Sequence, residues 1–178
     1  MPRKPRDVAP GVHHVVVGAT GPSAYFRDDE DRITWIRHFV RILDLYGWSC
    51  VIVCQLTTHL HVMLDVPDES LPAGMHRLNT AYGKGFNGRH DRLGNLVRAR
   101  YWSTRVRNDA QLKAAFRYVA RNPTRAGMCE RPEDWRWSSF ATSCGLADTF
   151  PFVNAACVLA VLDAAASTPA QALIGLVR

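Results

Sequence analysis

The sequence lacks any paired cysteine motif. Its five cysteines, Cys50, Cys54, Cys129, Cys144 and Cys157, are odd in number and contain no C-x-x-C spacing. That excludes a disulfide scaffold and favours free thiols in a reducing cytoplasm. Long apolar runs are missing too. The most apolar stretch, residues 150–166, is interrupted by Pro151, Asn154 and Asp163, so no membrane-spanning helix is expected there. No apolar segment follows the basic start, and a secretory leader is not expected. Internal repeats and low-complexity runs are absent, which argues against a solenoid or a disordered chain. Acidic residues are scarce in the middle. Residues 77–136 carry 14 Lys/Arg against 5 Asp/Glu, a balance of +9, while the remainder carries 8 against 11. This asymmetry favours a polyanionic partner, although a solvated basic face has the same composition. The segment Pro2-Arg3-Lys4-Pro5-Arg6 adds a short basic arm.

What is present suffices for a core. The 178 residues are 47% apolar, enough for one domain to residue 146, with an Ala-rich helical tail over 147–178. Val12 to Val17 is β-branched and predicts a first strand. Asp28 to Tyr46 places Ile33, Ile36, Phe39, Val40 and Leu43 at helical spacing, with acids in front and Gly47 behind. Trp48 to Leu56 and His59 to Val66 predict two strands joined by a tight hairpin, which puts Cys50 and Cys54 on one face. Ser70 is placed to cap a second helix with Leu71, Met75, Leu78, Tyr82 and Phe86 as its apolar stripe. Asn95 to Val106 predicts a fourth strand. Asn108 with Gln111 opens a third helix, expected to stop before Pro123. The order β-α-β-β-α-β-α predicts an α+β fold: a ferredoxin-like (RRM-like) antiparallel sheet with helices on one face.

The stretch Thr58-His59-Leu60-His61-Val62-Met63-Leu64 carries the clearest chemistry. Alternation sends His59 and His61 to one face, roughly 6–7 Å apart, and Leu60, Val62 and Leu64 to the other. Two imidazoles so placed can converge on one divalent ion; a pair of half-exposed histidines on a sheet gives the same pattern. In the third helix Leu112, Ala115, Phe116 and Val119 form the buried stripe. Tyr118 sits near its edge with Asn122 one turn on. A phenol and an amide oxygen would face one point, yet a rim tyrosine and a helix-end asparagine are equally readable there.

Three blocks together are similar to a known family. His-hydrophobic-His, then Tyr118-Val119-Ala120-Arg121-Asn122-Pro123-Thr124-Arg125-Ala126-Gly127, then Pro132-Glu133-Asp134-Trp135-Arg136-Trp137-Ser138-Ser139 resemble the REP-associated tyrosine transposases, within the single-tyrosine HUH class. Phe26-Arg27-Asp28-Asp29-Glu30-Asp31-Arg32 and Phe86-Asn87-Gly88-Arg89 add to the match, which covers residues 11–143. Two positions depart from the pattern: Thr58 stands where relatives carry Asn, and Gly18-Ala19 where they often carry Arg-Gly.

The resemblance implies a transposase domain over residues 1–146 with HUH architecture. It implies an endonuclease that cleaves and rejoins single-stranded, hairpin-forming DNA through a 5′-phosphotyrosine on Tyr118. Metal ligands would be His59, His61 and Asn122, holding Mg²⁺ or Mn²⁺. Arg98, Arg100, Arg117, Arg121 and Arg125 are the candidate DNA contacts, and Tyr101 and Trp102 suit stacking on unpaired bases. Replacing His59 or His61 by alanine is expected to leave the fold largely intact. Homodimer and monomer both fit the sequence. Three rivals remain at this point. One is a domesticated module that binds single-stranded nucleic acid without cutting it. A histidine-triad hydrolase lacks its third histidine here, because Met63 occupies that position. A zinc protein would use Cys50 and Cys54.

Overall fold

Buried apolar residues along three strand segments build the centre of the molecule. The computed structural model describes residues 7–21, 23–97, 101–162 and 168–178. Its strands β1 (Gly11–Gly18), β2 (Ser49–Gln55), β3 (His59–Val66) and β4 (Trp102–Arg105) form one antiparallel sheet in the order β2-β3-β1-β4. Helices α1 (Asp29–Tyr46), α2 (Leu71–Arg89) and α3 (Asp109–Arg125) follow β1, β3 and β4. This is the α+β, ferredoxin-like order that the sequence predicts.

The two pleat faces feed two cores. Val15, Val17, Leu60, Val62 and Leu64 pack with Phe39, Leu43, Leu78 and Tyr82 of α1 and α2. Ile52, Cys54 and Met63 point the other way and pack with Leu112, Phe116, Val119 and Ala120 of α3. Each such large apolar side chain contributes roughly 1.5–3 kcal/mol on full burial, which is what seats α3. Helices thus lie on both faces, one more than the single covered face read from the sequence. The face that α3 crosses is the one carrying His61, whose register partner on β2 is Cys54.

Local signals set most boundaries. Asp28 caps α1 by accepting from the Asp31 amide (3.0 Å), and Gly47 ends it at φ 63°, a conformation that glycine adopts without strain. Asn108 accepts from the Gln111 amide while Gln111 accepts from the Arg107 amide. Ser70 does not cap α2 as expected; its Oγ accepts from Trp48 Nε1 (2.9 Å). Nor does α3 stop before Pro123: it continues to Arg125. The proline sits in the last turns, where only one ladder donor is lost, and Asn122 Nδ2 donates to the Tyr118 carbonyl (2.9 Å) in that stretch.

Trp48 yields a stability prediction. Its indole is tethered to Ser70 and stacked on Tyr46, and a Cβ on Gly74 would collide with the ring. Alanine gains about 1 kcal/mol of helix propensity over glycine, whereas overpacking costs about 1–3 kcal/mol. Gly74→Ala is expected to lower stability by up to about 2 kcal/mol in urea titration, and a Trp48→Leu background should turn the same change stabilising.

Three of the recognised sequence blocks turn out to brace the fold. Arg89, at the end of α2, pairs with Asp28 (2.7 Å) and Asp31 (2.6 Å) at the start of α1. The Trp135–Ser139 segment runs along the outer edge of β2: Gln55 N donates to Trp137 O, Ser139 N to Val53 O, and Val53 N to Ser139 Oγ. It thereby covers an edge that would otherwise be open to pairing. Arg32 packs among Phe26, Trp135 and Trp137 and donates to the Gln55 carbonyl, fixing this segment to α1.

Three sequence readings need correction. A β-bulge between Cys50 and Ile52 reverses the alternation, so Cys50 enters the α1/α2 core and Cys54 the α3 core. They share no face and form no zinc pair. β4 begins at Trp102, later than expected, and among the described residues ahead of it Val97 forms an isolated bridge to Ala19; Arg98 and Arg100 lie outside the described residues. Tyr101 is core, while Trp102 is exposed. After α4 (Phe140–Ser143), the tail forms α5 (Ala156–Leu159) and α6 (Pro169–Val177). It buries Val158, Leu173 and Val177 in the α3 core. No helix among the described residues is long and apolar enough to cross a membrane.

Candidate active site

His59 and His61 leave β3 on the same face, with ring centroids 5.0 Å apart. α3 lays Tyr118 against them: its ring centre is 5.4 Å from that of His61. Leu112, Phe116 and Val119 hold the helix down, so Tyr118 is left at the rim, 42% exposed. Arg125 lies over its ring at 5.5 Å. Asn122 is buried one turn on. Its amide nitrogen is used on the Tyr118 carbonyl, which leaves Oδ1 as its remaining polar atom. The structure therefore joins His59, His61 and Tyr118 in one place, with Asn122 on the adjoining turn.

A third histidine belongs to the group. His14 of β1 is 5.3 Å from His61 and 5.9 Å from Tyr118, ring centre to ring centre, and meets Trp102 edge-on. Its Nε2 is 3.1 Å from His61 Nδ1. Sequence reasoning noted this histidine only as part of a strand. Its period-two position on β1 was legible; its register opposite Met63 was not.

Each ligand candidate has one ring nitrogen engaged. His59 Nδ1 meets Thr58 Oγ1 at 3.0 Å, so the residue that departs from the family pattern supplies a hydrogen-bonding oxygen to a candidate ligand. His61 Nδ1 meets His14, and His61 Nε2 is buried without a partner. A buried polar atom of that kind is costly unless something binds it. Two imidazole nitrogens and an amide oxygen make a donor set that suits a divalent ion, and the orphaned Nε2 fits such an ion.

Burial sets the protonation of the group. Desolvation pushes His14 down to about 4 and His61 to about 3, with the neighbouring His14 and His59 adding to the effect on His61; desolvation lowers His59 too. All three are neutral at neutral pH, the form that binds metal. Because the unfolded rings take protons near pH 6.5, the stabilising contribution is complete above that value and is lost as pH falls toward the folded values. In chelating buffer the denaturation midpoint is expected to drop between pH 6.5 and 4.5, and a His14→Phe, His61→Gln double variant should flatten that drop. An unchanged slope in the double variant would contradict the assignment.

A groove of about 570 Å³ adjoins Tyr118, lined by Lys113, Arg117, Arg121 and Arg125 at four-residue spacing, with Leu176 of α6 opposite. Arg117 also donates to the Arg178 carbonyl. Three of the five arginines named from the sequence, Arg117, Arg121 and Arg125, are therefore together, and Lys113 extends their row. A second cluster, Asp28, Asp31 and His90, has metal-like spacing. Asp31 already accepts from Arg27 N, Arg89 and His90, and Arg89 lowers Asp28 to about 2. We read this cluster as an ion-pair brace.

No family model matches the chain. It is 26% identical, over a 106-residue alignment that covers 53% of this chain and 60% of that protein, to a Haemophilus influenzae protein assigned as a REP-associated tyrosine transposase. The chain thus spans less than two thirds of this relative's length. Its fold matches the solved structure of a REP-associated tyrosine transposase bound to a REP hairpin, with TM-score 0.72 and 16% identity, over 84% of this chain and 90% of that one. Both findings agree with the resemblance read from the sequence blocks.

Proposed function

We propose that this chain is a transposase-type endonuclease that cleaves and rejoins single-stranded DNA through a covalent tyrosine–phosphate intermediate. The observation that carries this reading is Tyr118, exposed at the rim of a histidine group whose buried Nε2 lacks a partner and beside a row of four cations. His59, His61 and Asn122 would hold the divalent ion, Mg²⁺ or Mn²⁺. Bound there, it would polarise the phosphate oxygens and offset the charge that repels a nucleophile.

The chain's own residues do the rest. Lys113, Arg117, Arg121 and Arg125 hold the phosphates of an extended strand along α3. The exposed Trp102 offers a ring on which an unpaired base can stack. The Tyr118 oxygen attacks phosphorus, the P–O3′ bond breaks, and the phenolic proton ends on the departing 3′-oxygen. The product is a 5′-phosphotyrosine and a free 3′-hydroxyl. One phosphoester replaces another, so an incoming 3′-hydroxyl can reverse the step and join strands.

The solved relative's hairpin makes a labelled hairpin-bearing single strand the probe of choice. Incubation with Mn²⁺ should give a protein–DNA adduct stable to denaturation. Binding without any adduct, at every metal tested, would instead favour a non-catalytic binding module. Affinity is expected to fall with salt at about −0.7 in log–log slope per phosphate neutralised. Four cations in the groove therefore predict a slope near −3, and a slope near zero would remove the groove from the argument.

A further inference from the structure

We propose that His14 is a positioning residue for His61. It accepts a hydrogen bond on Nε2 from His61 Nδ1–H and so holds the ring with its Nε2 lone pair directed at the metal position; Thr58 Oγ1 does the same for His59. This rests on the metal-site reading above.

The geometry leaves two proton arrangements for the His14–His61 contact, because one nitrogen must donate and the other accept. If His14 donated, His61 would carry its own proton on Nε2. That atom is buried and has no acceptor, so a donor would be stranded. If His61 donates from Nδ1, Nε2 presents a lone pair, which an ion can take. His14 must then be protonated on Nδ1 and bare on Nε2. The ring geometry suits this bond: His14 is buried, within 28° of coplanar with His61 at 5.3 Å between ring centres, and edge-on to Trp102 and Tyr118. On the other ligand, the Thr58 hydroxyl lies 3.0 Å from His59 Nδ1. Both histidines are engaged at Nδ1, and with the Thr58 hydroxyl accepting from His59 Nδ1–H, Nε2 is the metal-facing atom of each. Outer partners of this kind fix the tautomer and orientation of ligating histidines.

The test has two arms. Long-range ¹H–¹⁵N spectra of the metal-free protein should place the proton of His61 on Nδ1 and show His14 Nε2 bare; a proton on His61 Nε2 would overturn the proposal whatever any variant does. In the second arm, Mn²⁺ affinity is measured by electron paramagnetic resonance on the full chain. His14→Phe keeps a ring but removes the acceptor, and should weaken binding by about 10- to 100-fold. His14→Gln restores an acceptor at a similar reach and should recover most of that loss. Wild-type affinity in His14→Phe, alongside lost binding in His61→Gln, would refute the positioning role and leave the metal site standing. Wild-type affinity in His61→Gln would refute the metal site and this inference with it.

Discussion

Tyr118→Phe is expected to bind single-stranded DNA as the wild type does, yet to lose cleavage by on the order of 10⁴-fold or more, the scale on which removing a covalent nucleophile acts. The covalent adduct should vanish with it. Accessibility among the five tyrosines decides the assignment. Tyr25 and Tyr82 are buried together, the Tyr82 hydroxyl donating to the Tyr25 carbonyl, and burial pushes both phenols well up. Tyr101 lies in the α1/α2 core. Tyr46 is half-buried and stacked on Trp48. Tyr118 alone of the five is exposed, and its ring lies against His14 and His61. Removing its hydroxyl at a solvent-facing rim should change stability by no more than about 0.5 kcal/mol, so a lost activity is chemical. Mass spectrometry of the trapped adduct would locate the phosphate; finding it on another tyrosine, or nicking by Tyr118→Phe, would sink the mechanism.

The second large effect is at the metal pair. His59→Ala and His61→Ala should each reduce Mn²⁺-dependent cleavage by at least about 10²-fold, since each removes a direct ligand and outer partners alone are worth 10- to 100-fold. Their structural consequences differ. His59 is half-exposed, and its alanine variant should fold as the wild type does. His61 is 3% exposed, so alanine there opens a hole beneath Tyr118 and leaves His14 Nε2 without its partner. A loss of about 1–3 kcal/mol is expected. The idea that both are benign surface positions, natural from strand alternation, holds for His59 only. His61→Gln is the better probe because it fills more of the space. Cleavage at the wild-type rate by either His59→Ala or His61→Gln, with divalent ion present, would show that the histidines do not carry the metal.

Much of this site is written locally. The period of two puts His59 and His61 on one face and Leu60, Val62 and Leu64 on the other whatever the rest of the chain does. The period of 3.6 puts Asn122 one turn from Tyr118. Asp28, Gly47 and Asn108 mark helix ends through bonds and dihedrals that span only a few residues. Those features were legible because their causes lie within one or two turns of chain.

The remainder needed the fold. That α3 lies on the histidine face, rather than beside α1 and α2, follows from Phe116 and Val119 finding Ile52 and Met63 across a long stretch of sequence. His14 enters the site only through the β1–β3 register, which pairs residues nearly fifty positions apart. The bulge in β2 separates Cys50 from Cys54, and no local signal announces it. Pro123, a helix breaker by propensity, is carried inside α3 because it and its neighbours Val119, Ala120 and Asn122 are buried. Periodicity is a property of a segment and so can be read from it; register, face and burial are properties of pairs of distant segments, and the free energy that decides them exists only once those segments meet.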